Sequence, residues 1–284
     1  MKVLENESLA KYTTFGVGGI ARNFYIPQTE SELINLVQDL EKQGKTYLLL
    51  GGGSNLLIND QKVFNIVIWL KEFSRKMEIE SNIVCVGASL TLPKFITEIN
   101  KAGLGGIEYL YSVPGTVGGA VYMNAGRGKK YGMCISDYLL SVTVLEEGAI
   151  KQYSKDECKF GYRSSIFQNK KIIILSARFA FDRMNPENGN KLQQERIALC
   201  RKVQDNSGKN FGTVFCESSM LIMKIIRKLQ VGKKGQVQFS PKTLNWIINK
   251  GNGSYAETIK IIQRVEKLHH VLGKDIRREV IIWE

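Results

Sequence analysis

The stretch SVPGTVGGAVYMNAG, residues 112–126, is the part of the sequence from which the fold is best interpreted. It contains four glycines in fifteen residues, and most of its other side chains are small. Glycine lets the backbone come close to a ligand because it has no Cβ. The stretch is too long for a single turn, so it predicts a backbone held flat against a planar or extended ligand.

A second glycine-rich element, GGGSN at residues 51–55, directly follows the apolar segment 46–50. Successive backbone N–H groups in such a loop can converge on an anion, which makes it a candidate phosphate-binding loop. An ordinary tight turn explains the same residues equally well. The pattern is neither GxGxxG nor GxxxxGK(S/T), so it indicates neither a Rossmann nor a P-loop site.

The composition is that of a globular protein. The chain has 284 residues, of which 43% are hydrophobic and 24% charged, enough for two or three domains. No apolar run approaches the roughly 20 residues of a membrane span. Residues 1–7 carry acidic side chains where a signal peptide needs an apolar stretch. We therefore expect a cytoplasmic protein with no membrane partner.

The net charge of +13 favours anionic ligands. A basic surface that binds nucleic acid is one interpretation, and a pocket for ligands with several phosphates is the other. Lysine and arginine are spread along the whole sequence, without a basic arm. We therefore expect no nucleic-acid partner.

Cysteine and histidine usage excludes several kinds of site. The five cysteines are odd in number and never form a CxxC pair, which argues against a disulfide framework and a structural zinc site. The two histidines, His269 and His270, are adjacent and near the C-terminus. They leave little room for a zinc enzyme or a serine hydrolase triad, and we expect no metal.

The apolar periodicity predicts alternating strands and helices. Thr29 and Glu32 predict a capping box ahead of a helix whose apolar positions recur at helical spacing and which ends at Gly44. With its flanking strands this makes a small βαβ-type unit that ends near residue 70. Residues 71–181 read as an α+β region, 185–190 as a polar linker, and 192–203 and 255–272 as helices, the latter with a Ser254–Glu257 capping box.

Together with TTFGVGG at 13–19, the two glycine elements resemble the FAD-binding elements of the UDP-N-acetylenolpyruvoylglucosamine reductases, the MurB family. They occur in the family's order and spacing. The similarity continues through FGYRSSIF at 160–167 and into the C-terminal part, at 236–240, 245–249 and 278–280, so it covers nearly the whole chain. The insert-free region after residue 163 is similar to the shorter, type II subgroup.

The resemblance implies an α+β fold in which a PCMH-type FAD-binding unit precedes a C-terminal α/β substrate-binding domain. The implied boundaries are 1–70 and 71–185 for the two FAD-binding subdomains and 186–284 for the substrate domain. FAD is expected to be non-covalent, because neither histidine is near the glycine elements. The implied FAD-binding residues are Gly51, Gly52, Gly53, Ser54, Asn55, Leu56, Pro114, Gly115, Thr116, Gly118, Gly119, Asn124, Ala125 and Gly126.

The implied activity is a two-step reduction in peptidoglycan synthesis. NADPH reduces FAD and leaves, and the enolpyruvyl group of the UDP-sugar then accepts the hydride, giving UDP-N-acetylmuramate. This chemistry requires a cation at the substrate carboxylate and a proton donor near its α-carbon.

Carried over residue by residue, the family pattern implies three catalytic residues. Arg163 matches the arginine of the YRxS motif, and Glu279 matches the late glutamate, although the family's LEPEV reads IRREV here. Thr213 stands where the family has its proton-donating serine, because GSxFKNP reads GTVFCES at 212–218. Tyr162 and Asn245 are implied substrate-binding residues.

The departure at 213–218 leaves alternatives open. Cys216 is either a thiol acid or a loop cysteine, and Glu217 adds negative charge beside a cleft expected to bind a diphosphate. The chain is therefore a working reductase of this family, a diverged flavoenzyme for another anionic substrate, or a flavin-binding protein without turnover.

Overall fold

The computed structural model describes residues 1–229 and 235–284. Within these residues the chain forms six α-helices, which are α1 Glu30–Lys42, α2 Leu92–Lys101, α3 Val117–Tyr122, α4 Pro186–Val203, α5 Met220–Lys228 and α6 Tyr255–Val271. Short 3-10 helices lie at Leu9–Tyr12, Glu108–Leu110, Ile135–Asp137 and Ile166–Gln168. The strands in the described residues are β1 Lys2–Ser8, β2 Ile20–Ile26, β3 Leu48–Leu50, β4 Leu56–Ile58, β5 Val63–Trp69, β6 Met77–Glu80, β7 Ile83–Gly87, β8 Leu104–Gly105, β9 Leu139–Glu146, β10 Ala149–Ser154, β11 Ile172–Ala180, β12 Asp182–Arg183, β13 Phe215–Glu217, β14 Val237–Phe239, β15 Ile247–Asn249, β16 Arg277–Arg278 and β17 Ile281–Trp283.

The chain divides into two compact units, each assembled from separate stretches of sequence. Unit 1 consists of Met1–Leu4, Phe24–Gly52 and Ile66–Leu199. Unit 2 consists of Glu5–Asn23, Gly53–Asn65 and Cys200–Glu284. The three-part division at residues 70 and 185 stays a prediction.

Unit 1 is built on an antiparallel sheet with the strand order β10-β9-β11-β7-β6. The central strand β11 pairs with β9 and β7, so that Ala177 lies opposite both Val142 and Val86. Helix α3 packs on β11 and β7, and α2 packs on α3. Phe95 of α2 lies with its ring centroid 5.5 Å from that of Phe179 and joins a single apolar core.

Helix α1 of unit 1 confirms the predicted amphipathic helix. The Thr29 hydroxyl accepts a hydrogen bond from the Glu32 N–H at 3.2 Å, which fixes the first turn. The Glu32 carboxylate accepts from the N–H of Gln28, one residue before the expected partner. The helix buries Leu33, Leu36, Val37 and Leu40.

Unit 2 has a second core around α6. The predicted capping box is present, because the Ser254 hydroxyl accepts from the Glu257 N–H and the Glu257 carboxylate accepts from the Ser254 N–H. Helix α6 buries Ile262 and Val265 against a core that includes Phe15 and Phe211, whose ring centroids are 4.6 Å apart. Strand β17 pairs in parallel with β4, and β13 pairs with β16.

The predicted linker at 185–190 is wrong, because α4 begins at Pro186. The Asn185 side chain accepts a hydrogen bond from the Glu187 N–H at 2.8 Å and acts as the N-cap. Proline suits the first helical position, where no intrahelical N–H bond is lost. The polar residues that suggested a linker form the exposed first turns of a helix.

No helix in the described part of the chain combines the length and the apolar character that crossing a membrane requires.

Candidate functional site

The two glycine elements predicted from the sequence meet within unit 1. A Cβ placed on Gly52 would lie 2.9 Å from the Cα of Gly115, closer than real Cβ atoms approach another atom. A Cβ on Gly51 would lie 3.9 Å from the Thr116 hydroxyl. The backbones of two segments 63 residues apart are therefore in direct contact, and the glycine at position 52 is what allows it.

The rest of the first loop is held within unit 2. Gly53 has a φ of +64°, and a side chain there would also collide with the carbonyl of Tyr12. The Thr14 N–H donates to the Gly53 carbonyl at 3.0 Å. The TTFGVGG element, predicted from the sequence to belong to the cofactor site, thus fixes the conformation of the loop at Gly53.

Each unit presents backbone amides that the described residues do not use. In unit 1 the N–H groups of Gly51, Gly52 and Thr116 donate no hydrogen bond to any described residue, and the same holds for Gly53 and Asn55 in unit 2. The amides of Val117 and Gly118, at the start of α3, instead donate to the carbonyls of Leu90 and Ala88 at 2.9 Å. In unit 1 the amides available to an anion are therefore those of Gly51, Gly52 and Thr116, and not those at the first turn of α3.

Arg163 lies in a tight turn closed by reciprocal hydrogen bonds between the backbones of Gly161 and Ser164. Its φ is +53°, a strained conformation for a residue with a side chain. The guanidinium donates to the carbonyl of Gly126 at 2.7 Å and to that of Asn124 at 3.3 Å. The guanidinium carbon is also 5.6 Å from the centre of the Tyr162 ring. Arg163 therefore positions the end of the second glycine element.

Asn124 completes this arrangement and has an unused acceptor. Its side-chain amide donates to the carbonyl of Gly161 at 2.9 Å, while its Oδ1 is buried and has no partner among the described residues. Buried polar atoms are nearly always hydrogen-bonded in complete proteins. A ligand with an N–H donor fits this position, and the ring system of FAD carries one.

Unit 2 brings together three predicted residues from distant parts of the sequence. The Glu279 N–H donates to the carbonyl of Val214 at 2.8 Å, and the Asn55 side chain donates to the carbonyl of Glu279 at 2.9 Å. Thr213 directly precedes Val214 and is partly buried. Its hydroxyl makes no hydrogen bond with residues 1–229 or 235–284, and its predicted role as proton donor stays a prediction.

Asn245 uses both polar atoms of its side chain within unit 2. Its Oδ1 accepts from the Phe215 N–H at 3.1 Å, and its Nδ2 donates to the Phe215 carbonyl at 2.6 Å. The residue therefore holds β13 in place, next to Thr213 and Val214. Its predicted contact with substrate stays a prediction.

Cys216 lies in β13 and not in a loop, which corrects one of the two interpretations of this residue. Its thiol donates to the carbonyls of Arg277 and Arg278 at 3.4 and 3.5 Å. Burial raises the pKa of the Cys216 thiol, with Arg277 opposing the shift. The proton of this thiol is thus directed at the backbone of β16.

Lys209 was not predicted from the sequence, but it lies beside the TTFGVGG element. The Lys209 side chain lies against Gly16, where an added Cβ would be 2.5 Å from the lysine Cδ, and its ammonium has no partner among the described residues. Nothing in the sequence around a single lysine marks it, because the contact with Gly16 arises only on folding.

Comparison with known proteins gives consistent results along the whole chain. A family model described as an FAD binding domain matches residues 21–151. The UDP-N-acetylenolpyruvoylglucosamine reductase of Carboxydothermus hydrogenoformans is 33% identical over 94% of this chain and 88% of its own length. UDP-N-acetylenolpyruvoylglucosamine reductase 1 of Bacillus cereus is 34% identical over 99% of this chain and 94% of its own.

The fold gives the same result. The crystal structure of UDP-N-acetylenolpyruvylglucosamine reductase (MurB) from Thermus caldophilus is similar with a TM-score of 0.78 and 27% identity, over 100% of this chain and 98% of that one. The predicted α+β fold with a PCMH-type FAD-binding unit is confirmed. With relatives above 30% identity that match it nearly end to end, the chain belongs to the UDP-N-acetylenolpyruvoylglucosamine reductase (MurB) family.

Proposed function

We propose that this chain is an FAD-dependent reductase that uses NADPH to reduce the enolpyruvyl group of UDP-N-acetylenolpyruvoylglucosamine to UDP-N-acetylmuramate. The observation that carries the proposal is the similarity, over nearly its whole length, to reductases named for this substrate. The unused amides of the first glycine loop support it, since they fit a dinucleotide cofactor.

FAD, when bound, supplies the hydride-transfer chemistry between NADPH and the enolpyruvyl group. In unit 1 the amides of Gly51 and Gly52 would hold its diphosphate, and the Asn124 Oδ1 would accept an N–H of its ring system. Arg163 holds the backbone at 124–126 in position for it through its bonds to the carbonyls of Asn124 and Gly126. Lys209 adds a cation beside the TTFGVGG element, where polyanionic ligands gain from a positive charge.

Three side chains act on the substrate in this proposal. Hydride addition at the methylene carbon places negative charge on the α-carbon and the adjoining carboxylate. The family pattern assigns the Arg163 guanidinium as the cation for that carboxylate and Glu279 as its polar partner. The Thr213 hydroxyl donates a proton to the α-carbon and regains one from solvent, which completes the addition of two hydrogens across the double bond.

The altered motif at 213–218 does not favour a different substrate. Glu217 forms an ion pair with Arg277 at 3.5 Å, so the negative charge that replaces a family residue is partly balanced within unit 2. Both side chains of the pair are about 40% exposed. An ion pair with this exposure adds little stability, but the positive charge of Arg277 still offsets the negative charge of Glu217. The electrostatic objection to a diphosphate substrate is therefore smaller than the sequence alone indicates.

The proposal is tested by anaerobic half-reactions. The purified protein should contain flavin that acid or heat releases as free FAD, because no covalent link is expected. NADPH should bleach the flavin absorbance, and the enolpyruvyl UDP-sugar should restore it with formation of UDP-N-acetylmuramate, identified by mass spectrometry. Bleaching without recovery would assign the chain to another acceptor, and a protein that takes up no FAD would end the proposal.

A further inference from the structure

Helix α5 of unit 2 is apolar on two sides. One side packs into the core through Ile222, Met223 and Ile226. The other exposes Leu221 and Leu229, each 69% accessible, with Ile225 between them at 42%. These three residues have the spacing i, i+4 and i+8, so they form one stripe along the helix. A helix on the surface of a globular protein ordinarily carries polar residues there.

The end of α6 lies near the start of α5 and is also apolar and exposed. The Ser219 N–H donates to the His269 Nε2 at 3.1 Å, which places the start of α5 beside the end of α6. Val271 and Leu272 follow there and are 72% and 52% exposed. We define the α5 surface as the exposed apolar residues Met220, Leu221, Ile225, Leu229, Val271 and Leu272.

Uncompensated cations border the α5 surface. Lys224, Arg227 and Lys228 are exposed, and the segment 220–228 contains no acidic residue. None of the three forms an ion pair with a residue that the structure describes. Apolar side chains interleaved with unpaired lysine and arginine are the features of a helix that lies in the plane of a membrane surface.

The positive charge beside the α5 surface favours some binding partners over others. A second copy of the chain, related by a two-fold axis, would place these three cations opposite the same three cations, which is unfavourable. An anionic bilayer surface supplies negative headgroups to the cations and an apolar layer to the leucines at the same time. Long lysine and arginine stems reach the headgroups while their neighbours enter the acyl boundary.

We propose that the α5 surface docks this chain reversibly on bilayers that contain anionic phospholipid. The proposal departs from the prediction, made from the sequence, of no membrane partner. That prediction rested on the lack of a spanning segment, and a helix that lies on the surface needs no span.

Vesicle flotation tests the proposal with the FAD-loaded protein. It should float with vesicles of phosphatidylglycerol and phosphatidylcholine and not with phosphatidylcholine alone, and high salt should release it. The variant K224Q/R227Q/K228Q should partition on the order of 100-fold more weakly at low salt, since each basic residue near an anionic surface contributes to binding. L221Q/I225Q should also lose binding.

Matched controls separate the α5 surface from overall charge. K42Q/K45Q/K171Q removes the same charge from exposed positions elsewhere, and I150Q replaces an apolar residue that is 58% exposed. Both should bind like the parent, and all variants should keep their flavin and circular dichroism. Failure of the parent to bind anionic vesicles, or equal loss in the two triple variants, would overturn the proposal. So would a dimer in sedimentation equilibrium that L221Q/I225Q dissociates, because the surface would then bind a second copy.

Discussion

The side-chain amide of Asn55 donates a 2.9 Å hydrogen bond to the backbone carbonyl of Glu279, a residue 224 positions later in the chain. A second hydrogen bond joins the same two segments, since the Ile281 N–H donates to the Asn55 carbonyl at 3.0 Å. A residue predicted to bind the cofactor thus holds the backbone of a residue predicted to act on the substrate. Within unit 2, the position of the Glu279 backbone therefore depends on hydrogen bonds to Asn55.

Replacing Asn55 should therefore affect the substrate step more than cofactor binding. Asn55→Ala keeps the backbone N–H but leaves the Glu279 carbonyl without its donor, at a cost of about 1–3 kcal/mol in the free energy of unfolding. Reoxidation by the enolpyruvyl sugar should slow, while FAD content stays close to the parent's. Asn23→Ala, which removes a bond from an exposed amide to the Asn65 carbonyl, is the control and should change neither. Loss of FAD with normal reoxidation would contradict the coupling.

Replacing Arg163 should weaken FAD binding and slow the reaction with substrate. Arg163→Ala removes two hydrogen bonds to the glycine element, so the dissociation constant for FAD, measured by flavin fluorescence, should rise. Reoxidation at saturating FAD should fall by roughly 10²–10³, the usual cost of losing a charge-stabilising donor. A variant with normal reoxidation would refute the assignment to the substrate carboxylate.

The backbone at residue 163 provides an internal comparison. Its φ of +53° is natural for glycine and strained for alanine. Arg163→Gly should therefore be more stable than Arg163→Ala by about 1 kcal/mol in chemical denaturation, while both lack the guanidinium. If the two are equally stable, the turn relaxes when the arginine is removed and its conformation depends on the side chain.

Thr213 should behave as the proton donor. Thr213→Ser retains the hydroxyl and should keep or raise turnover, whereas Thr213→Val keeps the shape and should lower it by about 10²–10⁴. Reduction of FAD by NADPH should persist in both, as followed by stopped-flow absorbance. Cys216→Ala is the matched variant and should be nearly neutral, because that thiol is directed at the carbonyls of Arg277 and Arg278. The opposite outcome would move the acid to Cys216.

The Cys216 thiol should react slowly with alkylating reagents at neutral pH. Burial raises its pKa, so little thiolate is present to attack. Cys85 is exposed on β7 and provides the comparison within the same molecule. Timed iodoacetamide labelling followed by peptide mass mapping should show Cys85 modified first. Faster labelling of Cys216 would mean an activated thiol.

Asp205 should make the stability of unit 2 depend on pH. Burial alone would raise the pKa of its carboxyl, but hydrogen bonds from Ser207 and from Ser240 hold it below the usual value. A lowered pKa means that the stabilisation is present above the usual aspartate pKa and is lost as pH falls through the lowered value.

Asp205→Asn should therefore destabilise the protein most near neutral pH, by about 1–3 kcal/mol, because the new amide N–H₂ cannot accept those bonds. The difference from the parent, measured by urea unfolding, should shrink below about pH 4. Asp156→Asn, an exposed aspartate, is the control and should show no such pH dependence. A difference that stays constant with pH would show that the carboxylate charge is not involved.

Much of the local structure could be predicted because its causes lie within a few residues of sequence. The caps of α1 and α6 depend on Thr29 and Ser254, each of which bonds an N–H three residues on. The two glycine elements were likewise identified from composition, since closely approaching backbone requires glycine wherever the fold places it. The linker prediction is wrong for an equally local reason, because an asparagine directly before a proline caps a helix here instead of opening a turn.

The sequence by itself determined the family, the α+β fold and the positions of the glycine elements, since these follow from local propensity and from motifs of fixed order. Only the tertiary structure decided how the matched residues are used. Four contacts join residues that are distant in sequence. Gly52 packs against Gly115, Arg163 donates a hydrogen bond to the Gly126 carbonyl, Asn245 bonds the backbone of Phe215, and the Lys209 side chain lies against Gly16. The physical reason is that a side chain's partner depends on which distant backbone packs beside it, and no periodicity along the chain encodes that contact.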